Sequence, residues 1–277
     1  MLQTIYRILI ELTNGRVTSE ALKRFAQSRW SRPFISPFSR FYNINIGEIE
    51  GDLLQFATLH DLFTRRLKAG MRIVNDESHT VTSPVDGVLE DIGEITEEKH
   101  IVVKGKEYSI EEMLGDHEIL QKYLGGTYMV LYLSPSHYHR IHAPVTGIVT
   151  KRWVLGQKSY PVNKLGMKYG RAPLSKNYRV LTEINHGNGH IAVVKVGAMF
   201  VNTIILTDES DGLEKGKEIA YFSFGSTVVL LYEKNTFTAV SERRMPSEVR
   251  VGEVLGYLKR EQELNGKNGQ SDGERYE

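Results

Sequence analysis

The chain has 277 residues, with 35 Lys+Arg against 34 Asp+Glu, 40% hydrophobic residues, 25 Gly, 8 Pro and no Cys, which excludes fibrous, collagen-like and wholly disordered classes. The missing thiols exclude disulfide scaffolds, thiolate zinc sites, iron–sulfur clusters and cysteine nucleophiles. A net charge of +1 gives no global reason to expect a nucleic-acid partner, yet the first forty residues hold Arg7, Arg16, Lys23, Arg24, Arg29, Arg32 and Arg40 against Glu11 and Glu20, a basic arm of about +5.

Leu2, Ile5, Tyr6, Leu9 and Leu12 recur at helical spacing and predict a helix over 2–13, stopped by Asn14-Gly15. Arg7 and Glu11 interrupt that apolar stretch, so no signal peptide is expected, and no run approaches the roughly 18 to 20 apolar residues of a membrane span. A second helix is expected after Thr18-Ser19, with Leu22, Phe25, Ala26 and Trp30 on one face and an end at Arg32-Pro33. Thr58 and Asp61 predict a capping box for a third, carrying Leu59, Leu62, Phe63 and Leu67.

From about Val81 the texture changes to short Val-, Ile- and Tyr-rich runs punctuated by Gly, such as Gly125 to Leu133 and Ser226 to Tyr232, which read as buried strands. Pro84-Val85-Asp86-Gly87-Val88 is echoed sixty residues later by Pro144-Val145-Thr146-Gly147-Ile148, and Ile219-Ala220-Tyr221 by Leu255-Gly256-Tyr257. The expected fold is α+β: a helical region over 1–75, a β-rich pseudo-symmetric barrel or sandwich of strand-turn repeats over 76–260, and a polar, disordered tail over 261–277. Such repeats are similar to biotinyl and lipoyl carrier folds.

Three segments can carry chemistry. Ser136-His137-Tyr138-His139-Arg140-Ile141-His142 packs three of nine histidines into six positions, which reads as a metal site, as acid–base machinery, or as histidines satisfied by carbonyls. No HExxH helix supports the metal reading. Asp86 sits in a Pro-Val-Asp-Gly turn, where an aspartate commonly bonds nearby backbone N–H groups; the echo would also bring it near His142, as the partner that orients a basic histidine. Phe222-Ser223-Phe224-Gly225-Ser226 holds the chain's one Gly-Ser dipeptide, at the start of an apolar strand.

Taken in order and spacing, Phe63-Thr64-Arg65-Arg66-Leu67, Ser83-Pro84-Val85-Asp86-Gly87, Leu133-Ser134-Pro135, Tyr138-His139-Arg140-Ile141-His142-Ala143-Pro144, Val196-Gly197-Ala198 and Phe224-Gly225-Ser226-Thr227 resemble the bacterial phosphatidylserine decarboxylase precursors. The resemblance runs from the N-terminal helices to about Tyr257. It implies a self-processing enzyme in which Ser226 attacks the Gly225 carbonyl, His142 is the base and Asp86 its orienting partner. Cleavage at Gly225-Ser226 would give a β chain, 1–225, and an α chain, 226–277, the latter starting with a pyruvoyl group made from Ser226. That cofactor, with no metal, would form a Schiff base with the amine of phosphatidylserine, release CO2 and yield phosphatidylethanolamine, with His139 as proton donor.

The resemblance further implies a peripheral position on the cytoplasmic face of an anionic cell membrane, a β–α heterodimer that dimerises again, and no nucleic-acid partner. Phe224 stands where many relatives carry Leu, and Tyr178 where others carry Glu, so Asn177 and Arg179 are only loosely expected near the substrate phosphate. Two other readings stay open: a metal-dependent hydrolase using His137, His139, His142 and Asp86, and a non-catalytic lipid-binding module.

Overall fold

A computed structural model describes residues 16–96, 98, 100–103, 106–158, 160, 162, 172–197, 204–223, 226–241 and 244–259, without the side chains of 16–19, 22 and 226. The helix expected over 2–13, the tail over 261–277, Gly225 and the Ser226 side chain lie outside the described residues.

The second helix runs Arg16–Gln27, starting before Thr18-Ser19, and is followed by a 3-10 helix Arg29–Phe34 that contains Pro33. Of the expected apolar face, Ala26 is buried but Phe25 and Trp30 are exposed, Trp30 by 83%. A helix Ile35–Phe41 follows. Ile35, Ile44, Ile49 and Leu62 then form a small core, closed by Phe38, Tyr42, Leu53, Phe56 and Leu59.

The third helix is short, Leu59–Phe63. Thr58 caps it by accepting the Asp61 amide at 3.1 Å, so half of the expected box is made, while the full box belongs to Asp52 and Gln55. Leu67 falls beyond the helix and bridges to Ile49.

The strands, in chain order, are β1 (Thr80–Thr82), β2 (Gly87–Glu94), β3 (His100–Val103), β4 (Lys106–Ser109), β5 (Thr127–Leu133), β6 (Arg140–His142), β7 (Gly147–Leu155), β8 (Arg179–Asn185), β9 (His190–Gly197), β10 (Ile204–Leu206), β11 (Gly212–Leu213), β12 (Glu218–Phe222), β13 (Ser226–Tyr232), β14 (Phe237–Ala239), β15 (Ser247–Val249) and β16 (Val254–Leu258). The architecture is α+β with mostly antiparallel strands. One eight-stranded sheet has the order β11-β7-β8-β9-β13-β5-β2-β15; two three-stranded sheets have the orders β1-β16-β14 and β10-β12-β6. Among the described residues the large sheet closes into no barrel, since its ends, β11 and β15, stay unpaired to each other.

The run Val228-Val229-Leu230-Leu231 is apolar on both faces because β13 is central and covered twice. Val228 and Leu230 pack toward the small sheets with Val81, Ile141, Phe222 and Leu255; Val229 and Leu231 pack toward Met113, Leu120 and Tyr123 of the helices Ile110–Leu114 and His117–Tyr123.

The two sequence echoes meet as a pseudo-two-fold in the hydrogen bonding. Thr82 N–H donates to Pro144 O at 3.0 Å, and His142 N–H to Pro84 O at 2.8 Å. Ser83 N–H donates to Glu253 O as Ala143 N–H does to Lys217 O, and Gly252 N–H donates to Ser83 O as Gly216 N–H does to Ala143 O. Leu258 N–H bonds the His79 carbonyl as Phe222 N–H bonds that of His139. The repeat thereby sets Asp86 equivalent to Thr146, and His139 equivalent to His79.

Candidate active site

The equivalence of Asp86 and Thr146 separates turn-making from chemistry. Thr146 Oγ1 accepts the Lys215 amide at 3.0 Å; Asp86 Oδ1 accepts the Val251 amide at 2.9 Å. Both cap the same kind of turn, as the local reading of the Pro-Val-Asp-Gly segment predicts. Asp86 adds a charge, and Arg72 answers it: Nε lies 2.8 Å from Oδ1 and 3.0 Å from Oδ2, and NH2 also contacts Oδ2. The same guanidinium reaches Glu48 Oε2 at 2.9 Å. Two carboxylates raise the Arg72 pKa against the opposing pull of burial.

His142 is half-buried at the end of β6. Its Nδ1–H donates to the Gly216 carbonyl at 2.8 Å, and the Tyr138 hydroxyl stands 3.3 Å from Nε2. Burial lowers its pKa, so the neutral form carries its free lone pair on Nε2. The expected Asp86–His142 hydrogen bond is not made: Arg72 and Val251 take the carboxylate, and a backbone carbonyl fixes the tautomer instead. Asp86 still acts on His142 through its charge, favouring the protonated form together with Glu218, while Arg140 opposes them.

His139 is fully buried, with its ring 3.8 Å from that of Phe63. Nδ1–H donates to the His137 carbonyl at 2.9 Å, and Nε2 has no partner among the described residues. Burial first, then the Arg65 and His137 charges, push its pKa well down. Its repeat-mate His79 is half-buried, stacked on Tyr257 and 3.5 Å from Glu77. A buried, unpaired imidazole nitrogen is costly.

Phe63-Thr64-Arg65 fastens the N-terminal region to this histidine loop. Arg65 donates to the Ser136 and His137 carbonyls at 2.7 and 2.9 Å, and Arg140 reaches back to Thr64 O at 2.9 Å. Burial lowers the Arg65 pKa to about 10. Arg65, Arg72, Glu48, Asp86 and Tyr138 line one cleft of about 310 Å3. Of these, Arg72, Glu48 and Tyr138 carry roles that sequence reasoning did not assign; the Phe63 to Leu67 motif was the signal for Arg65.

Ser226 opens β13, paired with Leu133 of β5 and Gly197 of β9. Phe222 ends β12, and its N–H bonds the His139 carbonyl. Four residue steps of chain, at most about 14 Å, therefore separate Ser226 from Phe222, the residue whose amide bonds the His139 backbone.

His137 lines the same cleft as Asp86, but its ring is engaged, accepting the Ser134 amide on Nδ1 and donating from Nε2 to Glu248. Among the described residues no group of three or more His, Asp or Glu could hold a metal ion. The three histidines diverge, which does not favour the hydrolase reading. Asn177 and Arg179, the residues loosely expected near the phosphate, lie buried beside β8 and at its start. Asn177 Nδ2 donates to the Tyr160 and Gly197 carbonyls and Oδ1 accepts the Tyr160 amide, all at 2.8 Å. Arg179 is spent on the carbonyls of Met113, Asn177 and Glu112. Both are buried and clamp backbone carbonyls.

Residues 59–257 match the family model described as phosphatidylserine decarboxylase. A phosphatidylserine decarboxylase proenzyme of Anoxybacillus flavithermus is 56% identical over 258 residues, covering 93% of this chain and 97% of the relative. Those of Bacillus cereus and Bacillus thuringiensis are each 56% identical over 255 residues, covering 92% of this chain and 97% of the relative. The chain belongs to the phosphatidylserine decarboxylase family.

Proposed function

We propose that this chain is the precursor of a decarboxylase that converts phosphatidylserine to phosphatidylethanolamine and CO2 after cutting itself between Gly225 and Ser226. The observation that carries it is the histidine pair: His142 neutral with Nε2 as its basic atom, and His139 buried with Nε2 unpartnered. A serine hydroxyl needs such a base at neutral pH. Ser226 Oγ attacks the Gly225 carbonyl carbon as His142 Nε2 takes its proton, so an ester replaces the amide. Loss of the Ser226 α-proton and of the Cβ–Oγ bond releases Gly225 as a carboxylate and ends the β chain, 1–225. Water then replaces nitrogen at position 226, leaving a pyruvoyl group at the head of the α chain and one ammonia.

The residues present fit that group, because the orphaned Nε2 of His139 is tethered through Phe222 to the start of β13. Once formed, the pyruvoyl ketone supplies an electron sink for the pair released as CO2 leaves a serine-headed lipid. His139 Nε2, unprotonated at rest beside the ring of Phe63, would first take up a proton and then return it to the carbon. Glu218 and Asp86 are the charges that stabilise the protonated His142.

Membrane contact belongs to the N-terminal region, and the described part of it offers the surface. Trp30, Phe34, Phe41 and Leu54 are more than half exposed, beside the exposed cations Arg24, Arg29, Arg32 and Arg40. This is the composition of an interfacial surface on an anionic, cytoplasmic leaflet. Among the described residues no helix is long and apolar enough to cross a membrane.

Intact mass spectrometry of the purified protein tests the reading. Two chains are expected, the α chain carrying a ketone in place of an amine, and Ser226→Ala is expected to stay whole and inactive. A wild-type chain that stays whole while binding phosphatidylserine vesicles would overturn it.

A further inference from the structure

The atom that must accept the Ser226 proton is already engaged. His142 Nδ1–H is held by Gly216 O at 2.8 Å, so its neutral ring has an acceptor at Nε2 alone, and the group facing that acceptor is the Tyr138 hydroxyl at 3.3 Å. The phenol is a donor there, since Nε2 of this tautomer has no hydrogen to give. The two rings stand 5.7 Å apart, tilted by 37°, and Tyr138 is only 8% exposed. The phenol's own pKa is pushed up to about 12, chiefly by burial, so it keeps its proton at neutral pH. A 3.3 Å contact is weak enough to exchange for a serine hydroxyl.

Resting on the reading of His142 as the base, we propose that Tyr138 is a positioning residue for self-cleavage, whose hydroxyl holds Nε2 of His142 unprotonated and aimed until Ser226 takes its place. The proton balance is simple: Tyr138 keeps its proton throughout, Ser226 loses one and His142 Nε2 gains it. The groups that face His142 divide in their effect. Glu218 on β12 and Asp86 at the start of β2 favour the charged ring, while burial, Arg140 on β6 and donation from Tyr138 favour the neutral one. Removing the hydroxyl therefore raises the pH at which His142 becomes neutral.

The test follows cleavage of freshly made full-length precursor across pH in wild type, Tyr138→Phe and His142→Ala. Tyr138→Phe keeps the ring and its packing. Its cleavage at pH 7 is expected to slow about tenfold, with the acid limb of the pH–rate profile moved to higher pH. Wild-type rate and an unmoved limb in Tyr138→Phe, with His142→Ala inactive, would overturn the role of Tyr138 and leave His142 as the base. Cleavage of His142→Ala at the wild-type rate would overturn both. Histidine 15N spectra of the Ser226→Ala precursor give a second reading that needs no turnover. Nε2 of His142 is expected unprotonated, and a proton found there would sink the proposal.

Discussion

At the scale of single residues, the site is held together by charges whose partners lie far away in sequence. Arg72 is 11% exposed and Asp86 7% exposed, so each depends on the other for its solvation. Removing one member of such a pair strands the other, at a cost of about 3 to 5 kcal/mol. Arg72→Ala, made in the Ser226→Ala background so that cleavage does not intervene, is expected to lose stability of that order by urea unfolding, while Arg72→Met with Asp86→Asn recovers much of it. A loss under about 1 kcal/mol would mean that water reaches the pair. Asp86 was legible in the sequence because a turn motif and its echo both pointed at it; Arg72 was not, because one arginine in Ala69-Gly70-Met71-Arg72 carries no local pattern. Tyr138 was hidden differently, lying inside a recognised motif whose histidines drew every role.

At the scale of elements, the repeat explains why the histidines can be neutral and fixed. Gly216 has φ +80° and Gly252 φ +90°, and a Cβ on either would meet Val74 or the Ile73 backbone at 2.7 and 2.4 Å. Both turns therefore require glycine, and at Gly216 the carbonyl of that turn holds His142. Gly216→Ala is expected to cost about 1 to 2 kcal/mol through strain alone, and to slow self-cleavage as well. Gly252→Ala should cost more melting temperature, because its Cβ meets backbone rather than a side chain, yet affect cleavage less, because its turn serves Asp86 rather than the base. Equal effects on cleavage would show that strain, and not the carbonyl, governs both. The strand runs Thr127–Leu133 and Ser226–Tyr232 were readable from their apolar texture, and the echo from its Pro and Gly. The helix bounds and the exposed Trp30 were not, since an apolar stripe says what could be buried and not what covers it. On an interfacial surface that stripe has another use: Trp30, Phe41 and Leu54 changed together to Ser should reduce flotation with anionic vesicles several-fold while leaving self-cleavage intact.

At the scale of the whole molecule, burial of ionisable groups gives the protein an unusual dependence on pH. Lys195 lies fully buried in the middle of β9, its Nζ donating to Thr182 Oγ1 at 2.8 Å, and its pKa falls to about 7 from burial and then from Arg152. A lysine whose folded pKa lies below its unfolded value binds fewer protons in the folded state between the two. Stability therefore rises with pH from about 7 toward 10. His139, His142 and His186, all lowered by burial, act with the same sign below about 6.5: each that stays neutral removes about 1.4 kcal/mol between pH 7.5 and 5.5. The buried tyrosines oppose this only above about 10. Tyr128 and Tyr138, raised to about 12, keep their protons folded and lose them unfolded. The maximum of stability is thus displaced to the alkaline side, away from the usual range of about pH 5 to 8. Urea unfolding of Ser226→Ala should show about 2 kcal/mol more stability at pH 9.5 than at 7.5, and Lys195→Met should flatten that slope while stabilising the protein at pH 7. A flat profile in the parent would mean that Lys195 stays charged, drawing water into the sheet beside the strand that bears Ser226.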